Sequence, residues 1–466
     1  MAIWNFLLYL TGWPLALLLF CGGLYFTVRT RCPQFRLFRE SIRVVGEKPA
    51  TAGSISSFGA LMISTASRVG TGNIIGVSTA ICVGGPGAVF WMWVTAILGG
   101  ASAFVESTLA QIYKKRDSEG GSYGGPAYYI EAALHSRPLA IVFVVALIIT
   151  YAVGYNMLAS YNLQSAFSGF GFYQANPKLS AGVIGAVIAL VFLYTMLGGG
   201  KRLVKVTGTL VPIMGVLYVL MALIALILNI GNIPHMFGMI FADAFNFSAI
   251  FGGFMGSCLM MGFKRGLYSN EAGIGSAPNA AAAADVSHPA KQGLVQMLSV
   301  FIDTLLLCTA TAFMTLCSGV EPTADLAGAG FVQAALSKTF GAVGPVFIAV
   351  AMVLFAFTTL LGNFYYVENG FAYIMKKAPS KGFITAARVV GAVLVFLGAI
   401  VSFGFAWGLA DVCQVVLAGL NIPVCIVLGG VAYKALDDYC SQKAAGRNPV
   451  FKAKSCGVRE KTDFWN

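Results

Sequence analysis

The sequence predicts an all-α polytopic membrane protein with about eleven transmembrane helices, and three observations support this prediction. The first is composition: 58% of the 466 residues are hydrophobic and only 10% are charged, whereas soluble domains carry about 25% charged residues. The second is a pair of long apolar segments that charged and small polar residues interrupt at mid-depth. The third is the one-sided distribution of lysine and arginine along the chain.

Eleven segments are long and apolar enough to cross a bilayer, which takes about 20 residues per helix. Their predicted limits are 6–28, 54–83, 87–112, 138–168, 180–198, 204–229, 247–284, 293–317, 343–375, 383–404 and 409–434. The first is too long for a cleavable signal peptide and is predicted to be an extra N-terminal helix. We interpret residues 1–466 as a single transmembrane domain. In it, 54–229 and 247–434 form two repeats of five spans, and 435–466 forms a loosely ordered cytoplasmic tail.

The segments 54–83 and 247–284 are predicted to be broken helices. An arginine at the centre of a spanning helix costs about 2.5–3.5 kcal/mol on insertion scales, and each glycine weakens a helix by about 1 kcal/mol relative to alanine. Both segments carry these residues at the same spacing, Arg68-x4-Asn73-x2-Gly76 and Arg265-x4-Asn270-x2-Gly273. Paired interruptions in corresponding positions of two halves indicate the substrate site of a secondary transporter.

The basic residues determine the predicted orientation. Of the 30 lysines and arginines, only Lys178 and Lys338 fall on the outer side if residues 1–5 are outside, and Arg68, Lys264 and Arg265 lie within the membrane. The other 25 are cytoplasmic, as the positive-inside rule requires, so the net charge of +12 gives no reason to expect a nucleic-acid partner. Because five is odd, the two broken helices run in opposite directions, which makes the repeat an inverted one.

The same sequence disfavours an enzyme. It has no Ser-His-Asp set, no nucleotide-binding motif and no cluster of metal-ligating residues, and its three histidines fall near loops. The ten cysteines form no C-x-x-C pair and lie mostly in apolar segments, where they act as small hydrophobic residues. We therefore expect no cofactor and no obligate protein partner. The paired interruptions favour a gated site over an open channel.

Three runs resemble the alanine or glycine:cation symporter family of bacteria and archaea: VGTGNIIGVSTAICVGGPGAVFWMWVTAILGG, GFKRGLYSNEAGIGSAPNAAAA and FAFTTLLGNFYYVENG. The resemblance covers nearly the whole chain. It implies a LeuT-like fold, a five-plus-five inverted repeat with one extra N-terminal helix. It also implies sodium as the coupling ion, a small neutral amino acid as substrate, and the plasma membrane of a prokaryote as location. The distribution of basic residues predicts the N-terminus outside and the C-terminus in the cytoplasm.

The resemblance also implies a sodium site between the first broken helix and the ninth span. The set carried over consists of backbone and hydroxyl oxygens, at Ala66, Val69, Phe355, Thr358 and Thr359. Alternatively, the two threonines bond only to the backbone of their own helix, as threonines in helices often do.

The substrate contacts follow from the two charged ends of an amino acid. A half-helix N-terminus suits the carboxylate, and unwound carbonyls suit the ammonium group. The predicted contacts are Thr71, Gly72, Asn73, Asn156, Gly262, Phe263, Thr359 and Asn363. For Asn156, a packing role is an equal alternative.

Asn363 departs from the family pattern, in which a tryptophan usually follows the glycine of FAFSTxLG. We expect the loss of that ring to enlarge or polarise the pocket and to favour serine, threonine, asparagine or glutamine. The alternative is that Asn363 bonds a neighbouring helix and that the substrate remains alanine.

The charged residues within predicted spans that we take as candidates are Arg68, Glu106, Lys264, Arg265, Glu271, Asp303 and Glu368. Such residues are candidates for function, although many prove structural, and we expect structural or gating pairs whose partners the sequence does not assign. Asp303 or Glu271 as a relay would make the transporter proton-coupled, which is the main alternative to sodium coupling.

Overall fold

A computed structural model describes residues 2–49, 51, 53–116, 121–246, 257–376 and 379–465. The helices are α1 (Ala2–Leu10), α2 (Trp13–Arg29), α3 (Pro33–Arg36), α4 (Phe38–Val45), α5 (Ser57–Arg68), α6 (Gly72–Gly84), α7 (Ala88–Ile112), α8 (Pro126–Leu134), α9 (Arg137–Ser165), α10 (Gly171–Ala175), α11 (Pro177–Met196), α12 (Gly199–Leu228), α13 (Ile233–Ala244), α14 (Cys258–Asn270), α15 (Ala277–Ala282), α16 (Pro289–Leu316), α17 (Ala329–Phe340), α18 (Val343–Met375), α19 (Lys381–Ile400) and α20 (Phe403–Ala444). Two short strands, β1 (Lys115–Arg116) and β2 (Ser122–Tyr123), pair antiparallel.

The helices reproduce the predicted spans. Within the described residues, nine helices are long and apolar enough to cross a membrane. The two segments predicted to be broken are not among them, because each is divided into shorter helices, α5 and α6 in the first case and α14 and α15 in the second. The predicted start of the seventh span, 247–256, lies outside the described residues.

The core around the two breaks is assembled by close helix contacts. Helix α7 packs along α14, α15 and α16, and α18 packs along α5. A Cβ atom added to Gly362 of α18 would lie 2.6 Å from the backbone nitrogen of Ser67 in α5. Only a small residue permits this approach, which is how helices commonly pack in lipid.

Within the described residues, three helices contain π-helical turns, and most residues of these turns are buried. They are Gly72–Gly76 in α6, Ile149–Tyr155 in α9 and Phe301–Cys308 in α16. Such turns are frequent at functional sites because the extra residue reorients neighbouring side chains. Two predicted site residues, Asn73 and Asn156, lie within or next to these turns.

The C-terminal segment is packed, so the prediction of a loosely ordered tail is wrong. Helix α20 continues to Ala444. Beyond it, Trp465 is only 7% exposed, and its indole nitrogen donates a hydrogen bond to the carbonyl of Gln111 at 2.8 Å. The ring of Phe451 packs edge-on against Trp465, with 5.5 Å between the centroids. The many basic residues of this segment suggest a solvated tail, but its few apolar side chains, Phe451 and Trp465, pack the segment against the end of α7.

Replacing Trp465 with alanine is expected to release this segment. Removing a buried tryptophan typically costs about 3–5 kcal/mol, so the segment should detach from α7 far more often. Limited trypsin digestion of the purified protein should then cleave after Lys452 and Lys454 at least tenfold faster than in the parent. Phe172→Ala, which removes a ring that is 58% exposed, is the matched control and should leave the cleavage rate unchanged. Equal rates for parent and Trp465→Ala would contradict the docked arrangement.

Candidate functional site

The first broken span frees two backbone carbonyls. Helix α5 ends at Arg68, and Val69 leaves the helical conformation with φ −75° and ψ 92°. A continuous helix would direct the N–H groups of residues 70 and 73 to the carbonyls of Ala66 and Val69. Instead, Gly70 N donates to Asn73 Oδ1 at 2.8 Å and Asn73 N donates to Gly70 O at 3.2 Å. The carbonyls of Ala66 and Val69 are therefore released from the usual helical pairing.

The hydroxyl of Thr359 lies against this break. A Cβ atom added to Gly70 would overlap Thr359 Oγ1, and this hydroxyl is buried without a hydrogen-bond partner in the part of the chain that the structure describes. Thr358 differs, because its Oγ1 donates to the carbonyls of Leu354 (3.1 Å) and Phe355 (3.0 Å). The backbone-bonded alternative thus describes Thr358, and the structure leaves Thr359 as the available hydroxyl.

The second break lies further along the chain than its spacing to Arg265 predicts. Helix α14 runs without interruption to Asn270, and Glu271, Gly273 and Gly275 adopt positive φ angles of 53°, 89° and 83°. The second half-helix, α15, begins at Ala277.

The prediction that Gly262 and Phe263 offer unwound carbonyls is wrong, because both residues lie inside α14. Gly262 serves helix packing instead: a Cβ atom there would lie 2.5 Å from Trp91 Cβ. The Arg-x4-Asn spacing is shared by both segments, but the chain unwinds directly after the arginine in the first and after the asparagine in the second.

Glu106 of α7 holds the second break open. Its two carboxylate oxygens accept the backbone N–H groups of Gly273 (3.2 Å) and Gly275 (3.0 Å), and the side-chain amide of Asn421 also donates to it at 2.7 Å. Unwound backbone inside a membrane needs such partners. The sequence marks Glu106 as an intramembrane charge, but it gives no sign that backbone groups are its partners.

Asn73 connects the first break to α14 and α16. Its amide nitrogen donates to Ser269 Oγ at 3.0 Å and to Asp303 Oδ1 at 2.7 Å, while its oxygen accepts Gly70 N. The side chain is fully buried. Asn73 therefore holds the geometry of the break from within the protein, and its predicted contact with substrate gains no support from the structure.

Asn363 belongs to a buried polar network between three helices. Its Oδ1 accepts the hydroxyl of Ser67 at 2.7 Å, and its Nδ2 donates to Asn156 Oδ1 at 2.9 Å. Glu271 lies within 3.0 Å of the same Ser67 hydroxyl. The alternative that Asn363 bonds neighbouring helices is therefore realised. Asn156 Nδ2 nevertheless stays buried without a partner among the described atoms.

Thr71 and Gly72 stand at the start of α6 beneath an aromatic ring. Thr71 Oγ1 accepts a hydrogen bond from Asn162 Nδ2 at 3.0 Å, and a Cβ atom on Gly72 would lie 2.9 Å from the ring of Tyr268. Asn162 Oδ1 has no partner within the described ranges. A buried polar atom without a partner costs about 1–3 kcal/mol. The unpaired atoms of Asn162, Asn156 and Thr359 are therefore positions at which a polar ligand would supply a missing hydrogen bond.

The intramembrane charges are partly paired. Arg265 donates two parallel hydrogen bonds to Asp411 of α20 at 3.0 and 3.2 Å, and the Lys264 ammonium lies 3.8 Å from the same carboxylate. The Arg265 guanidinium also lies 4.0 Å from the ring centroid of Trp407. Asp411 is not among the charges that the sequence singles out. A single carboxylate near the start of a long apolar span is typical of a residue at the membrane surface.

Two broken spans, with freed carbonyls and unpaired polar atoms around the breaks, are typical of a secondary transporter with an internal binding site. The chain belongs to the sodium:alanine symporter family, whose sequence profile matches residues 2–453. Members of this family are sodium-coupled amino-acid symporters, so this chain is a transporter and not an enzyme, and sodium is its coupling ion.

Two relatives from Bacillus subtilis (strain 168) are similar over almost the full length. One is the "Amino-acid carrier protein AlsT", 43% identical over 463 residues, which are 99% of this chain and 95% of the relative. The other is the "Probable sodium/glutamine symporter GlnT", 41% identical over 440 residues, with 94% and 90% covered.

Among solved structures, the crystal structure of MhsT in complex with L-phenylalanine superposes with a TM-score of 0.61. It covers 84% of this chain and 93% of that chain at 18% identity. The predicted all-α, LeuT-like fold is therefore confirmed.

Proposed function

We propose that this chain imports a small neutral amino acid with sodium by alternating access around its two broken spans. The observation that carries the proposal is the pair of carbonyls freed at Ala66 and Val69 beside the unpaired hydroxyl of Thr359. Hard, uncharged oxygen ligands of this kind suit sodium in unwound transporter helices. In a prokaryotic plasma membrane, the distribution of basic residues supports an N-terminus outside and a C-terminus in the cytoplasm.

The same geometry suggests how the amino acid is held. Its carboxylate would meet the N-terminus of α6 at Thr71 and Gly72, where the helix dipole is positive. Its ammonium group would meet carbonyls of the unwound segment 271–276, instead of those of Gly262 and Phe263. Asn73 and Glu106 would hold the unwound backbone of the two breaks in place without contacting the substrate.

Thr359→Ala is expected to raise the sodium concentration for half-maximal uptake by about tenfold, since one oxygen ligand is removed from the ion. Thr358→Ala is the matched control: its hydroxyl is already bonded to its own helix, so a change below threefold is expected. Sodium titrations of uptake in proteoliposomes measure both. If the two variants respond alike, Thr359 is not the distinguishing ligand.

The side-chain preference is proposed to be polar, with glutamine or serine ahead of alanine. Support comes from the amide pair of Asn156 and Asn363, which leaves the donor Asn156 Nδ2 unpaired. A site built to bond a substrate group discriminates against analogues without that group, because its own buried atoms are then unpaired. The name of the relative GlnT agrees with such a preference.

Asn363→Trp is expected to shift this preference toward alanine, because it removes the side-chain amide and its hydrogen bond to Asn156. Competition of unlabelled glutamine, serine and alanine against labelled substrate should show glutamine and serine weakened at least tenfold relative to alanine. Phe357→Trp, a ring-for-ring change at a half-buried position of the same helix, is the control and should preserve the ranking. An unchanged ranking in Asn363→Trp would exclude residue 363 as a determinant of specificity.

Transport of a proton in addition to sodium is a second candidate, because two buried carboxylates have neutral hydrogen-bond partners. The Asp303 carboxylate bonds to Asn73, Ser269 and Thr304, and that of Glu271 bonds to Ser67 and Ser276. Uptake driven by a pH gradient at equal sodium on both sides distinguishes the two. Sodium coupling predicts no accumulation under that condition.

A further inference from the structure

A cavity of about 550 Å³ lies on the predicted cytoplasmic side between α4 and the end of α20. We call it the basic pocket. Its charged and amide lining comprises Arg43, Glu47, Lys48, Lys443, Arg447 and Asn448. Four cations thus face a single carboxylate, and nothing in the transport mechanism uses them.

Internal ion pairs fix some of these cations and leave others free. The Glu40 carboxylate accepts hydrogen bonds from Arg43, Tyr439 and Lys443. Glu47 pairs with Arg43 at 2.9 Å and with Lys291 at 2.6 Å. These pairs connect α4, α16 and α20 into one wall.

Two cations of the basic pocket have no such counterpart. Lys48 and Arg447 are exposed, and within the described part of the chain neither side chain has a hydrogen bond or an ion pair. The pocket therefore presents uncompensated positive charge, with Asn448 Oδ1 already accepting from Lys291 at 2.9 Å.

An apolar strip lies along α3 and α4, on the exposed side of α4 that also carries Arg43 of the basic pocket. Phe35, Phe38 and Ile42 are 69%, 40% and 52% exposed. The segment is attached to spanning helices, because Gln34 Nε2 donates to the carbonyl of Ile97 at 3.0 Å and Arg29 lies over the ring of Tyr433 at 5.0 Å. An amphipathic helix beside the inner ends of spans exposes such a strip to acyl chains rather than to water.

We propose that the basic pocket binds the phosphate headgroup of an anionic phospholipid of the inner leaflet, with its acyl chains along the strip Phe35, Phe38 and Ile42. Basic pockets at the cytoplasmic side of membrane helices are suited to anionic headgroups. The positive charge of the basic pocket favours an anionic headgroup. The apolar strip on α3 and α4 favours a lipid over a free anion. The bound lipid joins α4 to the ends of α16 and α20. The proposal depends on the orientation given above, but not on the transported substrate.

The test uses the purified full-length protein, stripped of lipid in detergent, with binding followed by native mass spectrometry. Phosphatidylglycerol is compared with phosphatidylcholine and with glycerophosphoglycerol, the soluble headgroup alone. Tight binding is expected for phosphatidylglycerol only. If the soluble headgroup binds as tightly, the pocket is a site for free anions. If phosphatidylcholine binds as tightly, charge does not select the ligand. Either result overturns the proposal.

The variant Lys48→Ala/Arg447→Ala should weaken phosphatidylglycerol binding roughly 30-fold, the factor expected for two basic side chains at an anionic headgroup. Lys376→Ala/Lys381→Ala removes two exposed cations from the connection between α18 and α19 and is the matched control, with affinity unchanged. Lys48→Gln/Arg447→Gln gives a second version with less change in shape. Parent-like affinity in both pocket variants would overturn the proposal, because phosphatidylglycerol would then bind elsewhere.

Discussion

Replacing Gly70 with alanine is expected to reduce sodium-driven uptake at least 100-fold. The added Cβ atom would overlap Thr359 Oγ1 and lie 3.1 Å from Thr359 Cβ. Moving α18 away from α5 would separate Gly362 from the backbone of Ser67 and lose that close packing. Forcing extra atoms into a packed core typically costs about 1–3 kcal/mol, and here the strain falls on the freed carbonyls. Initial rates of uptake in proteoliposomes measure the effect.

Two further variants make this prediction specific. Gly182→Ala adds the same methyl group to α11, where it meets open space, and should transport at the parent rate. Gly70→Ala combined with Thr359→Ala removes the overlapping hydroxyl, so thermal stability should return toward that of the parent while sodium affinity stays low. Normal uptake by Gly70→Ala alone would show that the break is not held tightly against α18.

Replacing Asp411 with alanine is expected to lower the free energy of unfolding by about 3–5 kcal/mol, the usual cost of removing one partner of a buried ion pair. Arg265 and Asp411 are 6% and 8% exposed, and Lys264 lies beside them. The variant therefore leaves two buried cations without a carboxylate. Reversible unfolding in mixed micelles provides the measurement.

The matched control breaks an exposed ion pair. Arg137 and Glu131 are 3.2 Å apart, with side chains 32% and 37% exposed, so Arg137→Ala should cost less than about 1 kcal/mol. Equal losses in the two variants would mean that burial does not govern the Arg265–Asp411 pair.

The number of spans and the positions of the two broken segments were predictable, because a bilayer requires apolar side chains and paired backbone groups across its hydrocarbon core. Apolar length determines a span, and arginine or paired glycines at mid-depth mark a break. The exact unwinding point in the second segment was not predictable. It depends on the carboxylate of Glu106, which accepts the backbone N–H groups of Gly273 and Gly275. Glu106 lies in a helix more than 160 residues earlier in the sequence.

The candidate site was predicted unevenly for a related physical reason. Thr359 and the carbonyls of Ala66 and Val69 are implied by the family resemblance. The partners of Asn73 and Asn363 are not, because each side chain could bond to substrate or to a neighbouring helix. Only the folded structure shows that Asn73 bonds to Asp303 and that Asn363 bonds to Asn156.

Uptake of labelled glutamine, serine and alanine into proteoliposomes, with and without an inward sodium gradient, tests the central claim most directly. We expect accumulation above the outside concentration only with the gradient, with glutamine or serine ahead of alanine. We also expect Thr359→Ala to need about ten times more sodium for the same rate. Equal accumulation after sodium is replaced by choline would contradict sodium coupling at this site.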